Sequence, residues 1–148
     1  MAQQQQPATK VSKALLKLLN EAIARELQVA VQYMWQHVQW GGVKGFAVQS
    51  ELKSIAIAEM KHAEAIAERL YYLGDIPTTK PNPIYVGTTL KQMISQDIKD
   101  EANAVDFYKE IIEKATKEGD VTTAFIFKEI LEQEEDHHDT FTTLLEDL

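Results

Sequence analysis

Four glutamates and two histidines stand at matched intervals along the chain. Glu26 and Glu59 are 33 residues apart, and so are Glu101 and Glu134. The second glutamate of each pair has a histidine three residues on, His62 and His137. The first has a tyrosine seven residues on, Tyr33 and Tyr108. Residues three apart share one side of a helix, so each Glu-x-x-His offers a carboxylate and an imidazole together. The chain therefore contains two similar halves, each with one lone glutamate and one Glu-x-x-His. Carboxylate oxygens mixed with imidazole nitrogens suit iron or manganese. Four such glutamates and two histidines make the ligand set of a carboxylate-bridged dinuclear centre inside a helix bundle. One Glu-x-x-His says little. Two of them, with two more glutamates at the same spacing, say a great deal.

Such residues need rigid elements to bring them together. Chain breakers predict four helices. The first runs from Thr9 to Trp40 and stops at Gly41-Gly42, and the second runs from Gly45 to Leu73 and stops at Gly74. The third runs from Thr88 to Lys117 and ends at Gly119. Asp120 is the predicted N-cap of a fourth that continues nearly to Leu148. The segment "GDIPTTKPNPIYVGT" is rich in proline and glycine and is expected to be a loop. The first and last connections are tight, so each joins an antiparallel hairpin. The middle one can span about 46–50 Å, and the second helix is roughly 43 Å long at 1.5 Å per residue. The fold class is thus all-α: a four-helix bundle with one long crossover, its second and third helices parallel. Residues 1–8 are expected to form a disordered polar tail and 9–148 the single bundle domain.

Each helix carries a glutamate in the middle of its apolar face. Leu15, Leu19, Ala22, Ala30 and Tyr33 surround Glu26. Leu52, Ile55, Ala63, Ile66 and Leu70 surround Glu59. Ile94, Val105, Tyr108 and Ile112 flank Glu101, and Phe127, Ile130, Phe141 and Leu145 flank Glu134. Four ionised carboxylates converging in one core would repel one another, and each would lose its hydration. Protonation relieves this. Bound cations relieve it better, because they neutralise the charge and use the oxygens. The competing explanation, a hydrogen-bonded carboxylate cluster without metal, does not account for the repeat.

Composition limits the remaining choices. The formal net charge is -8 and there is no cysteine, so thiol catalysis, disulfides and thiolate metal sites are excluded. No basic cluster suits nucleic acid, and no apolar run suits a membrane span. The expected location is the cytoplasm.

"NEAIARELQVAVQYMWQH", "EMKHAEAIAERLYYLG", "SQDIKDEANAVDFY" and "EQEEDHHDTF" resemble bacterioferritin and the ferritin-like di-iron carboxylate family along nearly the whole bundle. The resemblance implies a ferritin-like bundle in which Glu26, Glu59, His62, Glu101, Glu134 and His137 ligate two irons. Glu59 and Glu134 would bridge the metals, while Glu26 and Glu101 would each cap one. The implied activity is a ferroxidase that oxidises iron(II) with O2 or H2O2 and is linked to iron storage or detoxification. The alternatives are a di-iron or di-manganese peroxidase or catalase of rubrerythrin-like type, and a haem or metal-binding dimer without turnover. Ser54 and Ala58 depart from the family's polar, iron-handling residues on the second helix. Eleven residues follow His137. These are too few for the short fifth helix that lines the channels of the family's 24-subunit cage, so a smaller shell or none is expected.

Several neighbours need their own assignments. Tyr33 and Tyr108 are expected to support the ligands by hydrogen bonds rather than by redox chemistry. Glu135 and His138 also form Glu-x-x-His, but Glu135 is about 100° from Glu134, and the repeat favours Glu134 with His137. His138 is left as a supporting or core histidine. His37 lies about 16 Å along the axis from Glu26, which suits packing or an entry channel. Met60 points about 100° from Glu59, into a second apolar stripe with Phe46, Ile57, Ala67 and Tyr71. The first helix has a matching stripe of Leu27, Val31, Met34, Trp35 and Val38. Two such stripes predict a homodimer through the first and second helices. The resemblance implies haem on its axis, ligated by Met60 of each subunit. The competing assignment is that Met60 only fills the interface.

Overall fold

The computed structural model describes residues 6–148. Its elements are α1 (Lys13–Gln39), α2 (Gly42–Tyr72), α3 (Leu90–Lys117) and α4 (Val121–Leu145). No strand occurs among the described residues. Residues 1–5 of the expected tail lie outside the description. The Ala8 backbone N–H donates to the Tyr72 hydroxyl (3.1 Å).

The ends differ from expectation for local reasons. α1 starts at Lys13, not Thr9, because Ser12 caps it by accepting from the Leu15 N–H. α3 starts at Leu90 because Thr89 accepts from the Gln92 N–H. Asp120 caps α4 as predicted, accepting from the Thr123 N–H. α2 starts three residues before Gly45, at Gly42. Gly45 has a packing role instead, since a Cβ there would fall inside the Trp40 indole. Gly119 ends α3 with φ +78°, a conformation that favours glycine.

α1 packs on α2 and α3 on α4, and the hairpins meet through α1 with α3 and α2 with α4. The connection between α2 and α3 runs along α1. Asn20 bonds the Ile76 carbonyl and the Thr78 N–H. Asn82 N–H donates to the Ala24 carbonyl. Gln32 accepts from the Tyr85 N–H, and Gln36 donates to the Val86 carbonyl. This strap travels about 24 Å of helix at 1.5 Å per residue, so α2 and α3 run parallel. At one end, Arg69 pairs with Asp120 at 2.7 Å and Ser12 donates to Glu118 at 2.7 Å, tying the hairpins together.

The apolar core is divided. One cluster contains Leu15, Leu19, Ile66, Leu70, Ile111 and Phe127. The other contains Val29, Leu52, Ile55, Ile94 and Phe141. The glutamates and histidines form a polar layer between them.

Candidate metal centre

All six predicted ligands are buried: the four glutamates have no exposed surface, and His62 and His137 retain 4% and 7%. Each glutamate comes from the middle of a different helix's stripe, with His62 and His137 one turn on from Glu59 and Glu134, and the apolar residues around them set their direction. They form two groups whose ligand atoms lie within 4.8 Å of one another. Glu26, Glu59, His62 and Glu134 are one; Glu59, Glu101, Glu134 and His137 are the other. Glu59 and Glu134 belong to both. The imidazoles stack with centroids 5.9 Å apart, a geometry that follows from the repeat.

Hydrogen bonds set the orientation of several members. Tyr33 donates to Glu101 at 2.7 Å and Tyr108 to Glu26 at 2.5 Å. His62 Nδ1 lies 3.0 Å from Glu59 Oε2 and 2.9 Å from Glu134 Oε1. Its Nε2 lies 2.8 Å from Gln133 Oε1. With Nε2–H donating to Gln133, Nδ1 is left as the atom facing the carboxylates. His137 Nδ1 lies 3.1 Å from Glu59 Oε1.

Arg25 joins the layer without having been expected there. Its guanidinium contacts every glutamate of the layer. Nη1 lies 2.5 Å from Glu134, 3.4 Å from Glu26 and 3.7 Å from Glu59, and Nη2 lies 3.3 Å from Glu101. Nη2 also donates to the Asp100 carbonyl. Ala22 and Val29, three residues before and four after it, are both buried. That spacing was the available signal that Arg25 faces inward. The carboxylates therefore have an internal cation as well as protonation to relieve their repulsion.

These charges interact strongly. Burial disfavours a charge on Arg25, but Glu101, Glu134 and Glu26 outweigh it and hold the guanidinium well above its ordinary range. Burial pushes Glu59 well above the usual carboxylate range, and Glu101, Glu26 and Glu134 push it further. Burial raises Glu101 too, against the pull of Arg25. Glu134 moves the other way: burial opposes its charge, yet Arg25, His137 and His62 hold it well below the usual range. On His62, burial is overcome by hydrogen bonds to Glu134 and Glu26, which lift its pKa to about 10.

The donor set fits a pair of hard or borderline cations. Glu26 Oε2 and Glu101 Oε2 are buried without a hydrogen bond. A buried carboxylate oxygen lacking a donor is costly, and a cation would use both. The set of oxygens with two imidazoles is the one iron or manganese accepts.

Other predicted residues fall outside the layer. Glu135 is exposed, and His138 is half-buried beside Asp106, Lys109 and Asp139 in a surface cavity, in neither ligand group. His37 Nδ1–H donates to the Gln49 carbonyl at 2.6 Å, joining α1 to α2 near their turn. Met60 is 47% exposed and lines an apolar groove of about 390 Å³ with Val31, Trp35 and Ile57.

A second buried polar group adjoins the layer. Asp97 accepts from Gln32 at 3.0 Å and Gln36 at 2.9 Å, and its second oxygen has no partner. Burial, reinforced by Asp100 and opposed by the two glutamines, raises Asp97 to about 8. Asp97 lies four residues before Glu101, a spacing visible in the sequence.

The family model described as a ferritin-like domain matches residues 16–148. A bacterioferritin of Desulfovibrio desulfuricans is 34% identical over 124 residues, spanning 83% of this chain and 69% of the relative. The solved structure of a Desulfovibrio desulfuricans bacterioferritin, concerned with its diiron site in different catalytic states, matches with a TM-score of 0.85. The identity is 30%, over 90% of this chain and 78% of that one. A Rhodobacter capsulatus bacterioferritin, with a metal-free dinuclear site and haem iron in a crystallographic special position, matches with a TM-score of 0.84. There the identity is 26%, over 93% and 87% of the two chains.

Proposed function

Because the chain belongs to the ferritin-like family, in its bacterioferritin branch, we propose that it is a di-iron ferroxidase serving iron storage or detoxification. Iron(II) is the substrate, and O2 or H2O2 is the oxidant. The observation that carries this reading is that Glu59 and Glu134 each belong to both ligand groups. Two iron(II) ions taken up there would draw on the same two carboxylates, and together they would supply the two electrons that reduce H2O2 to water or O2 to H2O2. In this reading Glu26 and His62 complete one position, and Glu101 and His137 the other.

The protein's own groups prepare the site. Tyr108 and Tyr33 each occupy one oxygen of Glu26 and Glu101, and the other oxygen of each glutamate takes no hydrogen bond. Gln133 fixes the His62 ring through Nε2. Metal entry must displace protons from Glu59, Glu101 and His62, so metal affinity rises with pH. The low-dielectric core around the layer strengthens each carboxylate–cation contact.

The finer parts of the proposal concern assembly. The exposed stripe of Trp35, Ile57, Met60 and Tyr71 supports a two-fold dimer through α1 and α2. That dimer would be the unit of any larger shell. The apolar groove beside Met60 is the place where a haem would be held, by Met60 of each subunit. No helix among the described residues is long and apolar enough to cross a membrane.

The test combines metal content with turnover. The purified protein should take up two iron(II) ions per chain without oxygen and then oxidise them rapidly with O2 or H2O2. His137→Ala should weaken uptake far more than His138→Ala. One ion per chain, or binding without oxidation, overturns the ferroxidase.

A further inference from the structure

Arg25 competes for the same oxygens as the metal. Its Nη1 lies against Glu26, Glu59 and Glu134, three of the four members of one ligand group, and its Nη2 against Glu101 of the other. A first-row metal ion takes carboxylate oxygens at roughly 2.0–2.2 Å. Nη1 is 2.5 Å from Glu134 Oε2, so the guanidinium already engages a carboxylate that belongs to both ligand groups. Two like charges in one buried layer also repel strongly. Arg25 and a metal pair are therefore alternative occupants of the layer.

The side chain has an exit. Arg25 also lines a surface cavity of about 440 Å³ between α1 and α3, with Glu21, Asn82, Asn103 and Phe107. Glu21 is one helical turn before Arg25, within reach as an i, i+4 partner. Its only close ion pair among the described residues is to exposed Lys17, at 3.9 Å. Arg25 Nε makes no hydrogen bond, so only the tip of the guanidinium is anchored. The matching position in the second hairpin is Asp100, so only one of the two hairpins brings an arginine into the layer.

We propose that Arg25 is a displaceable internal cation: it neutralises the carboxylate layer before metal binds, and on loading it swings out to Glu21 in the adjoining cavity. The proposal rests on the dinuclear reading of the site. Arg25 thereby sets a threshold for loading, because each binding event must break its contacts with four glutamates. It acts through the ligands and is not itself one.

Cobalt(II) titration under nitrogen, followed by visible d–d absorption, tests this without turnover. The intact protein should bind two ions. Arg25→Met should bind them about ten-fold or more tightly, about 1.4 kcal/mol, and its metal-free form should melt at a lower temperature. Arg25→Lys should fall between, because an ammonium is charged but cannot fork across several carboxylates. Glu21→Gln should leave the metal-free melting temperature unchanged and weaken cobalt binding. If Arg25→Met fails to fold, Arg25→Lys and Glu21→Gln carry the test. Unchanged or weaker affinity in the Arg25 variants, with two ions still bound by the intact protein, overturns the role of Arg25. Failure of the intact protein to bind two ions overturns the dinuclear reading instead.

Discussion

Tyr33, on α1, donates its hydroxyl to Glu101, on α3, at 2.7 Å. The counterpart, Tyr108 to Glu26, crosses in the opposite direction. Each tyrosine thus supports the lone glutamate of the other hairpin, not the one seven residues before it in its own helix. Tyr33→Phe should leave Glu101 Oε1 without its donor while keeping the ring against Phe141. The expected cost is about 1.5–3 kcal/mol in the metal-free protein, as for a buried hydrogen bond to a charged or shared-proton group. Urea denaturation measures it, and a loss below about 0.5 kcal/mol would show that the bond does not join the hairpins.

Glu59 and Glu134 have equivalent places in the repeat but opposite electrostatics. Burial and the other glutamates disfavour the charge on Glu59, whereas Arg25, His137 and His62 stabilise that on Glu134. Both Glu59→Gln and Glu134→Gln should abolish fast iron(II) oxidation. Metal-free stability at neutral pH should diverge, with Glu59→Gln neutral or stabilising and Glu134→Gln destabilising by about 1–3 kcal/mol. Shifts of the same sign in denaturant titrations would contradict the charge assignment.

Asp97 should make the metal-free protein sensitive to alkali. Its folded pKa is raised to about 8 from an ordinary 3.8. The folded state therefore holds a proton that the unfolded chain has released across that window. The resulting stability is complete below the ordinary value and is lost as pH rises through about 8. Asp97→Asn keeps the oxygen that accepts from Gln32 and Gln36 and removes the titration. Its melting temperature should exceed that of the parent by several degrees above pH 8, at about 2–4 °C per kcal/mol. Parallel melting-against-pH curves would exclude Asp97 as the source.

The α1–α2 surface should respond to charge. Ile57 is 42% exposed beside Met60 in the apolar groove. Ile57→Glu would place two like charges near the proposed two-fold axis and should convert the proposed dimer to monomer, as read by light scattering. In haem-containing protein, Met60→Ala should remove the Soret band while leaving the dimer. A monomeric parent protein would overturn the interface.

The bundle and its six candidate ligands were legible because they obey one rule: a polar residue repeated in the centre of an apolar stripe. The crossover was legible from its length and prolines. The starts of α1 and α3 were not, because Ser12 and Thr89 cap through side-chain geometry that several nearby residues could equally have supplied. Arg25 was missed because an arginine beside a core glutamate is ordinarily at the surface. Its depth depends on which way α1 turns against α3. Asp97, Gln32 and Gln36 were missed for a related reason. They lie on a face of α1 and α3 that the strap covers, and its path over Tyr85 and Val86 is a tertiary fact.

The division of the apolar core has a consequence for melting. One half is gathered around Leu19, Leu70 and Phe127, the other around Leu52, Ile94 and Phe141, and the ionic layer is the joint between them. A joint held by Arg25 and shared protons is weaker than one held by two divalent ions, whose binding adds stability logarithmically with free metal. Calorimetry on the iron-loaded protein should therefore give one sharp transition, with both halves unfolding together. Stripping the metal should broaden it or split it in two, making the number of transitions a gauge of iron supply.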